Sequence, residues 1–495
     1  MKTRTEFLAR PAFALAVAIA MGFGGALSAR AADAETEKME RPNLVLILLD
    51  NVGKEWFGCY GSEEHCTPNI DRLAAEGVRF SHCYTTTICA PSRVEWLTGR
   101  YPFRTGWHLH HDAGLYGGGG LDPAREVTFA RAPRDAGYVT GMAGKWQVNP
   151  LHDEPGILGR HGFDETLVWP GAIDRDAVDA DFFPKFHDAI ARNDAEYLRV
   201  ATSHIESRYW DPVLLRNGAR EVAKGRFGPD LFQEFAFDFF ARHREEPFLF
   251  YHAMVLTHGM NVNVHVVPTP DNRDDPPKEE KAAFADMLRY ADKQVGEVVG
   301  KLEALGLMDR TIVIVASDNG TSTSLTARAN GREVRGGLYQ ISEAGGNVPL
   351  IVYSPKLVPG GRSGALADFT DILPTVCDLA GAPRPAGVTL DGRSFAAYVR
   401  GKAEAPRKWI FNHYGDERVA RNARFRLEND GDLFDLDADP DGATPLPRDA
   451  GGDAAAARAE LQAVLDAMPE STPLPFPHRS LSAFRKRAEA AGRKP

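Results

Sequence analysis

Long apolar runs are almost missing from this 495-residue chain. The one near its start, Phe13 to Leu27, is short and broken by glycines, and no other stretch approaches the roughly 20 apolar residues that a spanning helix needs. A membrane span is therefore not expected. Cysteine is scarce too: Cys59, Cys66, Cys83, Cys89 and Cys377 are the whole set, and none shows CxxC spacing. That pattern excludes a zinc ribbon and a disulfide-dense scaffold. Positive charge is not in excess, since the net charge is −10, which argues against nucleic acid as the main partner. The basic groups at the end, Arg485-Lys486-Arg487 and Arg493-Lys494, read as a solvated tail. Internal repeats and low-complexity segments are absent, so a solenoid is excluded as well.

What is present begins with a leader. Lys2, Arg4 and Arg10 precede the apolar run, and Ala29-Arg30-Ala31 supplies small residues for cleavage, so residues 1–31 read as a secretory signal peptide. The expected location is periplasmic or secreted, with a mature chain starting near Ala32. No cysteine follows the cleavage site, which argues against a lipoprotein anchor. Export makes disulfides possible: with one cysteine reserved for chemistry, the other four either form two bridges or stay as buried thiols.

Short apolar runs, "NLVLILLD", "YVTGMAGKW", "PFLFYHAMVLTHG", "TIVIVASDNG" and "VPLIVYSP", alternate with helical patterns. This predicts an α/β fold with a large, mostly parallel sheet flanked by helices. Helices are expected over Asn69 to Glu76 and from about Lys278 to Leu305. After residue 385 the composition turns proline-rich, glycine-rich and acidic. The expected division is a catalytic domain over 41–385 and a smaller α+β subdomain with the tail over 386–495. Within the latter, "ARFRLENDGDLFDLDADP" reads as two short antiparallel strands and a turn.

Open parallel sheets bind ligands outside the carboxyl ends of their strands. Asp50 and Asn51 follow the first run, Lys145 the second, His258 the third, and Asp318 and Asn319 the fourth. Singly, an Asp-Asn pair after a strand is the ordinary chemistry of a turn or cap, and a lone Lys or His is a surface residue. Arriving together at one edge, they form an oxygen-rich set with about two negative charges, suited to Ca²⁺ or Mg²⁺ rather than Zn²⁺. Lys145 and His258 would then hold an anionic substrate beside the metal. Cys89 opens "CAPSRVEWLTGR", where Pro91, Val94 and Leu97 predict a helix running towards Gly99. The amides and dipole at that helix start favour a nucleophile or a bound oxyanion, and Arg93 lies one turn on. A disulfide half at a helix start is the plainer alternative.

The stretch Cys89-Ala90-Pro91-Ser92-Arg93 with Leu97-Thr98-Gly99-Arg100 resembles the signature of the type I, formylglycine-dependent sulfatases of the alkaline phosphatase-like superfamily. The resemblance runs on through "TPNIDRLAAEGVRFSHCY", "AGKWQ", "IVIVASDNGT" and "DFTDILPTVCDLAG". It implies that a maturase oxidises Cys89 to formylglycine (3-oxoalanine), whose hydrate attacks the sulfur of a sulfate ester. It further implies one Ca²⁺ held by Asp50, Asn51, Asp318, Asn319 and the modified Cys89. Arg93 would support the hydrate, while Lys145 and His258 would bind sulfate and assist the leaving alcohol. A sulfated carbohydrate is the expected substrate, ahead of a small aryl sulfate.

Three positions depart from the family pattern. Asn51 stands where many relatives have Asp, Gln147 where many have His, and Leu338 where a sulfate-binding lysine is usual. Arg335 is the nearest cation to Leu338 and is expected to contact substrate in its place. Two alternatives stay open: a phosphonate or phosphate monoester hydrolase, since tetrahedral oxyanion sites on one fold are chemically alike, and, because of Leu338, a degenerate metal-binding homologue without turnover.

Overall fold

The run "NLVLILL" forms strand β1 (Asn43–Leu49), and every one of its side chains is buried. Leu44, Leu46 and Leu48 enter one core while Val45, Ile47 and Leu49 enter another, so the strand is covered on both faces. Each such side chain contributes about 1.5–3 kcal/mol by leaving water, which is why β1 lies deep in the sheet and not at an edge. The computed structural model describes residues 41–473 except 117–118, 175–176, 180, 193, 260–266 and 362–363. The expected signal peptide and basic tail lie outside the described residues.

β1 belongs to a nine-stranded sheet with β2 (Val78–Arg79), β3 (Val139–Lys145), β4 (Glu165–Trp169), β5 (Val213–Arg216), β6 (Ala219–Val222), β7 (Phe248–Ala253), β8 (Thr311–Ser317) and β9 (Leu350–Tyr353). The spatial order is β2-β9-β8-β1-β7-β3-β4-β5-β6. The central strands β8, β1, β7, β3 and β4 are parallel, whereas the outer pairs on both sides are antiparallel. Helices α1 (Pro68–Glu76), α3 (Gly228–Arg242) and α4 (Glu280–Ala304) cover one face; α2 (Cys89–Thr98) and α5 (Ile372–Ala380) cover the other. The architecture is the α/β class expected.

Beyond residue 385, Phe395 and Val399 still pack into the main core, Phe395 against Phe80 at 4.9 Å between ring centres. A four-stranded antiparallel sheet follows: β10 (Ile410–Tyr414), β11 (Glu417–Arg421), β12 (Phe425–Glu428) and β13 (Leu433–Asp435). Helix α6 (Asp453–Ala467) packs on it, and Tyr101 and Phe103 complete its core from the main body. The β12–β13 hairpin is the one expected from sequence. All five cysteines are free thiols, so no bridge forms among the described residues.

A buried ion cluster ties the two parts together. Arg407 donates through Nε to Asp371 at 2.6 Å and through Nη2 to Asp368 at 2.9 Å and Thr370 at 2.9 Å. All of these side chains are excluded from water. Burial, and then the neighbouring Asp371 charge, raise Asp368 while Arg407 opposes them. Removing one partner of a buried pair strands the other charge, at about 3–5 kcal/mol. Arg407→Ala is therefore expected to lower unfolding stability by that amount in a denaturant titration, where an unchanged midpoint would show the cluster to be idle.

Candidate active site

The carboxyl ends of four parallel strands deliver the polar residues to one place. In register, Leu49 of β1 pairs with Ser317 of β8, so Asp50 and Asp318 emerge side by side. Backbone bonds continue past the strand ends: Asp318 N donates to Leu49 O at 3.0 Å and Asp50 N to Leu256 O at 2.9 Å. Gly144 sets up the arrival of Lys145. Its φ is 104°, and a Cβ there would run into the Ala253 carbonyl, so only glycine lets β3 lie this close to β7. Gly320, after Asn319, allows a similar approach to the Ala344 carbonyl.

The motif helix is built to hold its first residue. Ile88 is the extended N-cap and Cys89 opens α2. Ser92 turns its hydroxyl back to the Ile88 and Thr86 carbonyls, both at 2.8 Å, which pins the preceding loop to the first turn. Arg93 lies four residues after Cys89 and so on the same face of the helix. Its Nη2 donates to Asp318 Oδ2 at 2.7 Å, with Asp50 Oδ2 at 3.6 Å, and its Nη1 donates to the Lys145 carbonyl at 3.0 Å. One guanidinium thus joins the ends of β1, β3 and β8.

Lys145 Nζ donates to Asp50 Oδ2 at 2.7 Å. Although burial opposes ionisation, the Lys145 charge, and after it Arg93, hold Asp50 well below the usual carboxylate range. Burial and the Asp50 charge push Asp318 the other way. Two cations therefore face two carboxylates, all at 1% exposure or less. Burial raises the Cys89 thiol, so it lacks the lowered pKa of a thiolate nucleophile.

Ligand atoms of Asp50, Cys89 and Asp318 lie within 4.8 Å of one another. Two further facts bear on a cation. Asp50 Oδ1 and Asn319 Oδ1 are buried oxygens without a hydrogen-bond partner among the described residues. Asn51 adopts φ 62°, a left-handed conformation asparagine tolerates. Its N–H donates to Asp318 Oδ1 at 3.0 Å, and its own Oδ1 accepts from Asn319 Nδ2 at 2.7 Å. Unpaired buried oxygens are costly unless something electropositive meets them, and an all-oxygen set beside a helix start fits a hard divalent cation.

A family model described as Sulfatase matches residues 42–382. The chain belongs to the sulfatase family. The sulfatase is 33% identical to arylsulfatase A of Homo sapiens over 393 residues, covering 76% of this chain and 71% of that protein. It is 28% identical to the N-acetylgalactosamine-6-O-sulfatase of Bacteroides thetaiotaomicron over 420 residues, covering 76% and 79%. In fold it is similar to the solved structure of Ps i-CgsB in complex with k-i-k-neocarrahexaose, at TM-score 0.70 and 22% identity, covering 91% of this chain and 98% of that one. The sulfatase is accordingly a sulfuric ester hydrolase.

Of the residues singled out from the sequence, Asp50, Asn51, Cys89, Arg93, Lys145, Asp318 and Asn319 are joined by the contacts above. His258 stands at the same edge, half-buried, in the loop after β7. Burial, and then Arg208, press its pKa down to about 3. Arg335 is not brought in, contrary to expectation. It ends a short hairpin strand (Arg332–Arg335), is exposed, and donates through Nε to the Thr323 carbonyl at 2.6 Å. In that hairpin it pairs with Thr326. Leu338 does reach the site, packing with Ile88, Cys89, Leu109, Ile341, Tyr414 and Val419.

Two further residues border the site: Gln147, expected from the sequence as a departure from the family pattern, and Arg208, to which the sequence does not point. Gln147, at φ 73°, donates through Nε2 to Asp112 at 2.9 Å and keeps Oε1 buried without a partner among the described residues. Arg208 is 5% exposed and lies against His258 and Trp169. It comes from a loop between helical turns and the antiparallel edge, where no strand-end rule points to it.

Proposed function

We propose that this sulfatase is an exported enzyme that hydrolyses a sulfated carbohydrate, using formylglycine made from Cys89 by a maturase and one bound Ca²⁺. The observation that carries the reading is the meeting of Cys89, Asp50 and Asp318 at the strand edge, beside two buried oxygens that lack partners. Asp50, Asn51, Asp318 and Asn319, with the modified Cys89, would hold the cation. Bound there, the cation and the formylglycine together supply an activated oxygen nucleophile for sulfur. Lys145 offers an ammonium to the sulfate oxygens, and Arg93 neutralises Asp318 and Asp50 while fixing the Cys89 helix to three strand ends. His258 gives a donor or acceptor at the mouth of the site. Carbohydrate is favoured over aryl sulfate because the relatives include an N-acetylgalactosamine-6-O-sulfatase and a structure complexed with k-i-k-neocarrahexaose. Export rests on the leader sequence.

A screen of protein co-produced with a maturase, against sulfated sugars, 4-nitrophenyl sulfate and phosphate monoesters, tests this reading. Turnover of a sulfated sugar is the expected outcome; activity confined to phosphate esters would overturn it. Leu338 yields a sharper expectation. It packs in an apolar cluster that includes Cys89, so the pocket is shaped around an apolar side chain and Leu338→Lys is expected to keep or reduce kcat/KM. A large gain would mark the natural site as degraded. Arg335→Ala, at an exposed position, is expected to stay within about threefold of the wild type.

A further inference from the structure

His258 Nδ1 lies 2.8 Å from Arg208 Nη2 and 2.8 Å from the Gly259 carbonyl, and the same Nη2 also donates to that carbonyl. Three polar atoms thus share one corner, and the fixed charge of Arg208 decides between the two placements of hydrogens that the distances allow. Nη2 carries two hydrogens. With one on the Gly259 oxygen and the other on Nδ1, each acceptor is met. A hydrogen on Nδ1 could instead reach the Gly259 oxygen, but it would set an N–H beside a guanidinium nitrogen 2.8 Å from Nδ1 that is always charged, which disfavours it. The ring is therefore neutral with its single hydrogen on Nε2, the nitrogen that this corner leaves unused.

Arg208 is itself held firmly. Its guanidinium lies 4.5 Å over the Trp169 ring, and Trp169 ends β4 in register with Lys145. The next residue, Tyr209, donates its hydroxyl to the Val255 carbonyl at 2.8 Å and also to the His258 carbonyl. The 208–209 segment thus grips the loop after β7 at its backbone as well as at its imidazole. A lysine could not reproduce this: it lacks the planar face for Trp169 and the paired hydrogens on one nitrogen.

We propose that Arg208 is a positioning residue that holds His258 as the neutral Nε2–H tautomer, so that the ring presents a hydrogen-bond donor to a substrate oxygen. This rests on the reading that the substrate binds at this edge. It accounts for a buried arginine which the strand-end set does not include. Leu338 offers no donor, so the sulfate oxygens are left to Lys145 and His258.

A double-mutant cycle on the matured enzyme tests the proposal, with 4-nitrophenyl sulfate as probe. Glutamine supplies an amide donor whose hydrogens do not depend on a tautomer. Arg208→Ala is expected to lower kcat/KM roughly 10- to 100-fold, the usual range for spoiling one donor, but by less than about threefold when made on top of His258→Gln. An equal loss in both settings would overturn the proposal, because Arg208 would then act without His258. The tautomer is read separately in ¹⁵N-histidine-labelled wild-type protein, with His258→Gln locating the signal. An unprotonated Nδ1 is expected; a protonated Nδ1 would overturn the proposal even if Arg208→Ala does not fold. Failure of the substrate reading would show differently, as a wild type without turnover and an intact Nδ1 signal.

Discussion

Cys89→Ala is expected to bring sulfate-ester turnover below detection, a loss on the order of 10⁵-fold or more, while the protein stays folded. The magnitude follows from the position of Cys89. It opens α2 with its ligand atom within 4.8 Å of those of Asp50 and Asp318, and no other cysteine stands at the strand edge. Cys83 and Cys377 are buried in the main core, and Cys66 in the core on the opposite face. Removing the sulfur empties a small volume in a minor apolar cluster, at about 1 kcal/mol. Kinetics and thermal unfolding of the same preparation separate these effects. Residual activity within tenfold of the wild type would move the chemistry elsewhere.

Asp318→Ala is expected to abolish both cation binding and activity, the latter by about 10³-fold or more. The side chain does three things at once. Oδ2 accepts from Arg93 at 2.7 Å, Oδ1 accepts from the Asn51 amide at 3.0 Å, and the carboxylate supplies one of the two negative charges facing the cation. Alanine leaves Arg93 leaning on Asp50 alone, which Lys145 already occupies at 2.7 Å. Asp318→Asn keeps an acceptor for the Asn51 amide, so it is expected to fold like the wild type and still lose most bound calcium. Metal content by elemental analysis after dialysis checks this, independently of any assay. Full calcium retention in Asp318→Ala would refute the ligand set.

The strand ends were legible because a parallel strand buried on both faces shows itself as an unbroken apolar run, and the polar residue after it must lie at the carboxyl edge. That logic reaches Asp50, Lys145 and Asp318, which follow such runs directly or close them. It failed at Arg335, since the spacing from Leu338 suggested a shared loop while a hairpin through Arg332–Arg335 carries the guanidinium to the surface. It could not reach Arg208, whose nearness to His258 depends on β5 and β6 extending the sheet and on Trp169 as a platform. In the C-terminal region the β12–β13 hairpin was visible through its Asp-Gly turn. The β10–β11 hairpin was hidden, because "IFNHYGDERVAR" mixes polar and apolar residues where Asn412, His413 and Arg421 are buried through hydrogen bonds rather than apolar packing. Free thiols, not bridges, were decided only by the fold.

The most direct test of the account is the mass of the tryptic peptide Phe80–Arg93 from protein produced with a formylglycine-generating maturase. The peptide contains Cys83 as well as Cys89, so one residue serves as an internal control for the other. The account predicts that Cys89 carries an aldehyde in place of its thiol group, trapped by a hydrazine reagent, while Cys83 remains a thiol. An unmodified Cys89 in a preparation that still hydrolyses sulfate esters would contradict it.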